Sequence, residues 1–258
     1  MLTVVSVALG ACTGGGAAPR LAKGENGSVL QTAPRLSQFH FTPDFIADAR
    51  DFPPWSALAA QTTPDDGPLE ACLSNKEKCE SPNLVRFRKM MEIAATLPKP
   101  EQLNLVHHYF NTITWTHDAR DTWSTLYHTA LTGMGDCEDI ALAKYQSLRR
   151  LGWAAEDLRV LVGWDAQEND WHAWLAVRDP DHASDDATES VLVLDSIMGL
   201  QRPVAYRHAR IVYSISDQGV WDHAPDYVPI VTAEDQRMAS ERAARHAAND
   251  RQNKGVVK

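Results

Sequence analysis

The sequence predicts an α+β protein in which several helices come first and an antiparallel β-sheet follows. Helix signals dominate the chain up to about residue 151. Four later segments are rich in Val, Leu, Ile and Trp, as strands are: 158–164, 170–177, 191–196 and 210–216. Because helices and strands are segregated along the chain, we expect the helices to pack on one antiparallel sheet.

The first helices are identified by their capping residues. Ser81 followed by Pro82 predicts a helix over 81–97, since Ser is a good N-cap and Pro suits the first helical position. A second helix is expected from near Pro100 through EQLNLVHHYFNTI. The earlier stretch 42–62 has only short helical signals, broken by a turn at FPPW, and TWTHDARDTWST after the second helix is expected to be a loop.

The stretch MGDCEDIALAKYQSLRRL, residues 134–151, predicts a third helix. Gly135 permits a tight entry, Asp136 is placed to cap the helix, and Asp139 completes an acidic variant of the capping box. Cys137 therefore lies in the first turn. There the helix dipole lowers the pKa of a thiol, whereas the neighbouring acids raise it.

Length and composition indicate an ordinary globular protein. The chain has 258 residues, of which 44% are hydrophobic and 23% charged, enough for one sizeable domain or two small ones. The formal net charge is −9 and the basic residues form no long cluster, which argues against nucleic acid as a partner. The acidic clusters instead indicate a bound cation.

The N-terminus indicates export. MLTVVSVALGACTGGG contains an apolar run that is too short to span a bilayer and that ends in small residues. LGAC resembles the bacterial lipobox, in which Cys12 would carry a lipid anchor, although no Lys or Arg precedes the run. We assign 1–12 to a signal peptide or lipoprotein signal, 13–40 to a flexible linker and 41–231 to the folded domain. The tail, 232–258, is charged and is expected to be helical or disordered.

The cysteines agree with an exported protein. Cys72 and Cys79 are spaced to close a small disulfide loop, which suits an oxidising compartment. A zinc site is the weaker alternative, since no second pair or nearby histidine completes it. With Cys12 processed or lipidated, Cys137 is left over and needs another explanation.

A catalytic thiol needs a base and a third group that orients the base. His172 lies within the predicted strand DWHAWLAV, and Asp195 ends the predicted strand VLVLD. If these strands pair, His172 and Asp195 are neighbours on one face, and the N-terminus of the helix carrying Cys137 is expected to pack against that face. Each residue alone has an ordinary alternative, namely an inert buried thiol, a hydrogen-bonded strand histidine and an Asp that ends a strand.

The segments GDCEDIALAKYQSLRRLGW, HAWLAV and LVLDS, in this order, resemble the transglutaminase-like branch of the papain-type cysteine enzymes. They are most similar to the bacterial transglutaminase-like cysteine peptidases, the LapG-type periplasmic proteases. The resemblance covers roughly 50–220 and implies a papain-like, transglutaminase-like fold. It also implies that Cys137 is the nucleophile, His172 the general base and acid, and Asp195 the orienting carboxylate.

The resemblance further implies a cofactor and partners. LapG-type enzymes bind Ca²⁺ through carboxylates beside the nucleophile, which transfers to Asp136, Glu138 and, as a further candidate, Asp139. A bound cation would neutralise these acids and spare Cys137 their repulsion. The family cleaves a large repeat-containing surface adhesin near its N-terminus, which promotes biofilm dispersal, and an inner-membrane cyclic-di-GMP receptor inhibits it. A periplasmic location follows from the same resemblance.

Departures from the family pattern leave alternatives open. Ser196 stands where the family often has Asn, and the loop 178–190 is long and acidic. The acids around the cysteine also suit a role as caps and dipole partners. Trp171 and Trp174 are core aromatics or walls of a substrate cleft, and Trp123 is an oxyanion donor or a core residue.

The alternative functions are a transglutaminase-like acyltransferase and a non-enzymatic, calcium-stabilised module that binds a receptor.

Overall fold

The structure, a computed structural model, describes residues 44–49, 52–116, 122–168, 170–181, 190–197, 200 and 209–223. The predicted signal segment, linker and charged tail lie outside the described residues. Within these ranges, no helix combines the length and the apolar character that crossing a membrane requires. All the described residues lie within the predicted folded domain, 41–231.

The described residues contain five α-helices: α1 (Pro53–Ser74), α2 (Pro82–Ala94), α3 (Lys99–Phe110), α4 (Leu126–Thr132) and α5 (Cys137–Arg150). As predicted, the Ser81 hydroxyl caps α2 by accepting a hydrogen bond from the Leu84 N–H at 3.1 Å. The sequence did not predict α4. It is capped by Thr125, whose hydroxyl accepts from the His128 N–H, and it ends at Gly133 with a φ of 67°.

The prediction of a turn at FPPW is wrong, because its prolines begin α1. Phe52 is the N-cap and Pro53 follows it, at a position where the missing N–H has no helical partner to lose. The helix even continues through Pro64 and Pro68. Four buried side chains hold it in the main core: Trp55, Leu58, Leu69 and Cys72. We infer that this packing outweighs the local cost of the interior prolines.

Eight strands occur in the described residues: β1 (Asp44–Ala47), β2 (Thr114–Trp115), β3 (Met134–Gly135), β4 (Leu158–Asp165), β5 (Asp170–Arg178), β6 (Val191–Leu194), β7 (Ala209–Ser216) and β8 (Gly219–Asp222). Six form the main sheet in the order β1-β8-β7-β4-β5-β6, with every neighbouring pair antiparallel. β2 and β3 form a separate parallel pair. The predicted α+β arrangement of helices on an antiparallel sheet is confirmed, and β1 and β8 extend the sheet beyond the four predicted strands.

The two faces of β5 bury different sets of side chains. Trp171, Ala173 and Leu175 belong to the main core, which also contains the apolar side chains of α5. Trp174 belongs to a second, smaller apolar cluster. Because successive side chains of a strand point to opposite faces, His172 shares its face with Trp174. The helices therefore cover one face of the sheet, and His172 lies on the other.

Cys72 and Cys79 form a disulfide, with an Sγ–Sγ distance of 2.03 Å. The bond links the last turns of α1 to the residue that follows the 3₁₀ turn Lys76–Lys78. The small disulfide loop expected from the spacing is therefore present.

Candidate active site

His172 and Asp195 form a buried hydrogen-bonded pair. The Nε2 atom of His172 lies 3.1 Å from Oδ1 of Asp195, and the two residues are 3% and 4% exposed. The register of β5 and β6 explains the pairing, since the ladder ends at Leu175 opposite Leu194. Asp195 is the next residue and reaches the face that carries His172, as the sequence predicted.

The pairing determines which ring nitrogen of His172 remains for chemistry. A carboxylate can only accept hydrogen bonds, so Nε2 carries the hydrogen and donates it to Asp195. The other nitrogen, Nδ1, is then left for a reacting group. The ring of Trp174 packs edge-on against the imidazole, with centroids 4.7 Å apart and an interplanar angle of 84°. Since Trp174 is fully buried, it supports the imidazole and does not wall a cleft.

The electrostatics of the site favour the charged form of this pair. Burial alone would lower the pKa of His172, but the Asp195 carboxylate and its hydrogen bond, with a contribution from Asp165, raise it overall above 6.5. Burial likewise acts to raise the pKa of Asp195. The His172 imidazolium and the Ile197 N–H outweigh it and lower that pKa from 3.8 to about 2. The pair is therefore an imidazolium and a carboxylate at mildly acidic pH.

Cys137 is the first residue of α5 and is fully buried. Its Sγ lies 3.1 Å from Oε2 of Glu138, whose side chain is itself 1% exposed. The sulfur is oxidised in this structure, so the expectation of a leftover free thiol is not met in this form. Nucleophilic chemistry requires the reduced thiolate.

The three acids at the head of α5 are buried, at 4%, 1% and 5% exposure for Asp136, Glu138 and Asp139. Asp136 is the N-cap residue of α5, as expected, but its side chain forms no capping hydrogen bond. Asp139 links α5 to another segment. Its Oδ1 accepts a hydrogen bond of 2.7 Å from the N–H of Ser124, which fastens the segment before α4 to α5.

These carboxylates suit Ca²⁺ by chemistry but do not converge in the described residues. Hard oxygen donors are the ligands that Ca²⁺ prefers, and Asp136, Glu138 and Asp139 supply three carboxylates. Within the described ranges, however, no group of three or more His, Cys, Asp or Glu side chains is gathered closely enough to hold one metal ion. Ca²⁺ would therefore need further oxygen ligands besides these acids.

Contacts near the last turn of α5 show how the helix is directed relative to the sheet. Near the last turn of α5, the Tyr145 hydroxyl accepts a hydrogen bond from the Asp217 N–H, and Arg149 pairs with the Asp217 carboxylate at 3.0 Å. Asp217 directly follows β7, at the end of the sheet where β4 begins and β5 ends. His172 pairs with Gly163 near the end of β4, and Asp195 is level with the middle of β5. The head of α5 therefore points toward the end of the sheet where His172 lies.

This arrangement differs in one respect from the expectation. We expected the N-terminus of α5 to pack against the face of the sheet that carries His172. The side chains of β5 that enter the helix-side core are instead the alternating ones, Trp171 and Ala173. His172 therefore lies on the face of the sheet opposite the one that the helices cover.

The sequence analysis missed Lys144, which contacts the dyad from α5. Its Nζ donates hydrogen bonds to the main-chain carbonyl of Asp195 at 2.6 Å and to Oδ1 of Asn111 at 2.7 Å. Its position in the sequence could have revealed it. Lys144 stands seven residues after Cys137, on the buried side of α5 that also contains Ala141. A charged residue on this side requires buried partners.

Two surface cavities lie away from this site. One, of about 310 Å³, is lined by α1, α4 and the second half of α5, and the other, of about 490 Å³, by α2, α3 and the residues around β2. Neither is lined by Cys137, His172 or Asp195. Trp123 is 5% exposed and packs against Phe52, as a core residue does.

Comparison with solved structures identifies the fold. A structure of LapG from Legionella pneumophila matches with a TM-score of 0.53 at 22% identity, over 60% of this chain and 86% of that chain. A second, EGTA-treated LapG structure from the same organism matches with a TM-score of 0.53 at 19% identity, over 67% and 96%. A calcium-bound structure of that protein gives a TM-score of 0.49 at 21% identity, over 62% and 89%.

Comparison of the sequence identifies the family. No curated protein matches the chain significantly. The family model of the bacterial transglutaminase-like cysteine proteinases (BTLCP) matches residues 59–196, which is more than half of the chain. The matched range includes the head of α5, the strand of His172 and Asp195. The chain therefore belongs to the bacterial transglutaminase-like cysteine proteinases.

Proposed function

We propose that this protein is a calcium-dependent periplasmic cysteine endopeptidase with the triad Cys137, His172 and Asp195. The observation that carries the proposal is the buried His172–Asp195 pair, which leaves Nδ1 of the imidazole for a nucleophile at the end of the sheet toward which α5 points. Membership of a cysteine proteinase family supplies the reaction class.

In the first half of the reaction, the reduced Cys137 thiolate attacks the carbonyl carbon of the scissile peptide bond. Its proton resides on Nδ1 of His172, and the Asp195 carboxylate stabilises the resulting imidazolium. As the tetrahedral intermediate collapses, the C–N bond breaks and His172 gives this proton to the leaving amine. The product is a thioester between Cys137 and the N-terminal fragment.

In the second half, water hydrolyses the thioester. The neutral imidazole of His172 removes a proton from the attacking water, and the C–S bond breaks to regenerate the Cys137 thiolate. The N-terminal fragment leaves with a new carboxylate. Throughout, the Asp195 carboxylate and the edge-on contact of Trp174 keep the imidazole in one orientation and one tautomer.

Ca²⁺ would act at the head of α5. Glu138 lies against the Cys137 sulfur, and a carboxylate this close raises the pKa of a thiol. When bound, Ca²⁺ supplies positive charge that neutralises the acids, with Asp136 and Glu138 as ligands and Asp139 as a further candidate. Asp139 already accepts a hydrogen bond from the Ser124 N–H through its Oδ1 atom.

The proposed substrate is a large repeat-containing surface adhesin, cleaved near its N-terminus to promote biofilm dispersal. The proposed regulator is an inner-membrane cyclic-di-GMP receptor that sequesters the protease, and Cys12 is a proposed site of lipid attachment. These proposals rest on the resemblance to the LapG-type enzymes. The disulfide between Cys72 and Cys79 supports an oxidising compartment such as the periplasm.

The experiment that tests this function uses the reduced, purified protein and the large exported adhesin encoded nearest to it. We expect one cleavage near the adhesin N-terminus with Ca²⁺, little cleavage with EGTA, and none with the Cys137→Ala variant. We also expect EGTA to lower the melting temperature, because it leaves the buried acids at the head of α5 without a cation.

The same experiment separates the alternatives. A labelled primary amine is added to the reaction, since an acyltransferase would join the amine to the acyl group while a protease transfers the acyl group to water. Substantial incorporation of label would favour the transglutaminase-like alternative. A wild-type protein that binds Ca²⁺ but neither cleaves nor labels the adhesin would leave only the receptor-binding module.

A further inference from the structure

Lys144 is a lysine in the interior of the domain. It is fully buried, and it follows Cys137 by seven residues, or two turns of α5. Its immediate neighbours on α5, Ala143 and Tyr145, are buried too. Lysine is almost never buried to this extent unless specific partners hold its ammonium group, because taking a charge out of water is costly.

The partners of Lys144 belong to two other elements. Its ammonium donates to the main-chain carbonyl of Asp195, just beyond β6, and to the side-chain oxygen of Asn111, the C-cap residue of α3. Both hydrogen bonds are short, at 2.6 and 2.7 Å. Lys144 therefore ties the middle of α5 to the end of α3 and to the residue that follows β6.

The hydrogen bond from Lys144 reaches Asp195 just beyond the last pair of residues in the β5–β6 ladder. The β5–β6 ladder ends with the pair Leu175 and Leu194, one residue before Asp195. Beyond that point, the Asp195 carboxylate is held by His172 and by the Ile197 N–H at 3.0 Å, and its carbonyl by Lys144. The side chain and the main chain of Asp195 are thus fixed by separate donors.

We propose that Lys144 is a positioning residue that holds Asp195, through its main-chain carbonyl, at hydrogen-bonding distance from His172. The inference rests on the proposed function, in which Asp195 orients the imidazole. Asn111 completes the device by fixing the ammonium group. Because α5 also carries Cys137, a single helix both carries the nucleophile and anchors Asp195, from residues that are about 10 Å apart along its axis.

The charge of Lys144 also acts on the dyad. Burial lowers the pKa of Lys144 to about 7, while the Asp195 carboxylate opposes that shift. Burial and the His172–Asp195 ion pair have the larger effects on the pKa of both dyad residues. The Lys144 charge also acts to lower the pKa of His172 and of Asp195. The groups that face the ammonium are thus Asp195 after β6, His172 on β5 and the uncharged Asn111 on α3.

The test replaces the lysine by an apolar residue of similar length, Lys144→Met. Two properties of the reduced protein are measured. One is the rate at which iodoacetamide alkylates Cys137 as a function of pH, and the other is the downfield proton resonance of the His172 Nε2–H that Asp195 holds. We expect alkylation at mildly acidic pH to slow by about tenfold to a hundredfold and the resonance to broaden or disappear, because misplacing Asp195 frees the imidazole.

A matched control separates positioning from loss of stability. Leu148 lies one turn further along α5, eleven residues after Cys137, and is equally buried in the main core. Leu148→Ala is expected to lower the melting temperature and to leave the alkylation profile and the Nε2–H resonance unchanged. If Lys144→Met does not fold, the milder Asn111→Ala variant carries the test, with a smaller effect of the same sign on both readouts.

The proposal is overturned if Lys144→Met shows the same alkylation of Cys137 and the same His172 Nε2–H resonance as wild type. The same criterion applies to Asn111→Ala if that variant is used instead. Failure of the proposed function gives a different result, namely a wild-type Cys137 that reacts only as an ordinary thiol does at alkaline pH. In that case the Nε2–H resonance still decides whether Lys144 positions Asp195, since it reports the His172–Asp195 bond without any catalysis.

Discussion

The two ends of α5 carry charged residues in opposite environments. At the N-terminal end Glu138 and Asp139 are 1% and 5% exposed, whereas at the C-terminal end the side chains of Arg149 and Arg150 are 35% and 25% exposed. The helix dipole favours acids at the first end and bases at the second, so it does not explain why only one end is buried. Buried carboxylates cost folding free energy. Both acids lie beside Cys137, the proposed nucleophile.

The partners of the two ends differ in the same way. Arg150 pairs with Asp66 and Glu70 of α1, and Arg149 pairs with Asp217 after β7, in ion pairs that water reaches. The N-terminal half is buried, and Lys144 in the middle of the helix contacts Asp195, the partner of His172. The exposed end thus fastens the helix to its surroundings through ion pairs, while the buried end carries Cys137 and the acids beside it.

The largest expected effect comes from removing the sulfur at the buried end. Cys137→Ala is expected to abolish cleavage of the adhesin, a loss of at least about a thousandfold, because no other group can form the thioester. Cleavage is followed by gel electrophoresis and the fold by circular dichroism. A folded Cys137→Ala protein that still cleaves would show that α5 does not carry the nucleophile.

A somewhat smaller effect is expected when Asp195 is replaced by Asn. The amide keeps the size of the side chain but no longer holds the imidazolium of His172, so kcat should fall by about 10²- to 10⁴-fold with little change in KM. Steady-state kinetics on the adhesin segment measure both. Unchanged kcat in a folded Asp195→Asn protein would remove Asp195 from the mechanism.

The same variant gives a stability prediction with a defined pH window. The folded protein raises the pKa of His172 above 6.5 and lowers that of Asp195 from 3.8 to about 2. The pair therefore stabilises the fold most between pH 3.8 and 6.5, and the stabilisation declines as pH rises through the folded pKa of His172 or falls toward 2. Urea unfolding of wild type and Asp195→Asn across this range measures the difference. A difference that grows above pH 6.5 would contradict the assignment.

The smallest effect is expected at the exposed end. Arg150→Ala removes ion pairs with Asp66 and Glu70 whose side chains are 46% and 60% exposed. The free energy of unfolding should fall by less than about 1 kcal/mol, and kcat should stay the same. A loss of activity in this variant would show that the two ends are coupled more strongly than their environments indicate.

The site residues on regular elements were predictable from the sequence. The strand signals around HAWLAV and VLVLD fixed two segments whose antiparallel pairing brings His172 to Asp195, and DCEDIAL marked the start of α5. The pairing of these two strands can be predicted from their sequences, because both are buried and the alternation of their side chains sets the register.

Other features depend on contacts that no local pattern contains. β1 and β8 are four residues each and pair although they lie far apart in the chain. α1 contains Pro64 and Pro68, which local propensity treats as breaks, and only its packing in the main core explains why it continues. The role of Lys144 becomes visible once α5, α3 and the end of β6 are seen together.

The central claim is that Cys137 and His172 act as one thiolate–imidazolium unit, and alkylation of the reduced protein tests it most directly. The account predicts that iodoacetamide labels Cys137 well below the ordinary thiol pKa of about 8.5, and that His172→Ala abolishes this reactivity at mildly acidic pH. Labelling that follows the ordinary thiol pKa and is the same in wild type and His172→Ala would contradict it.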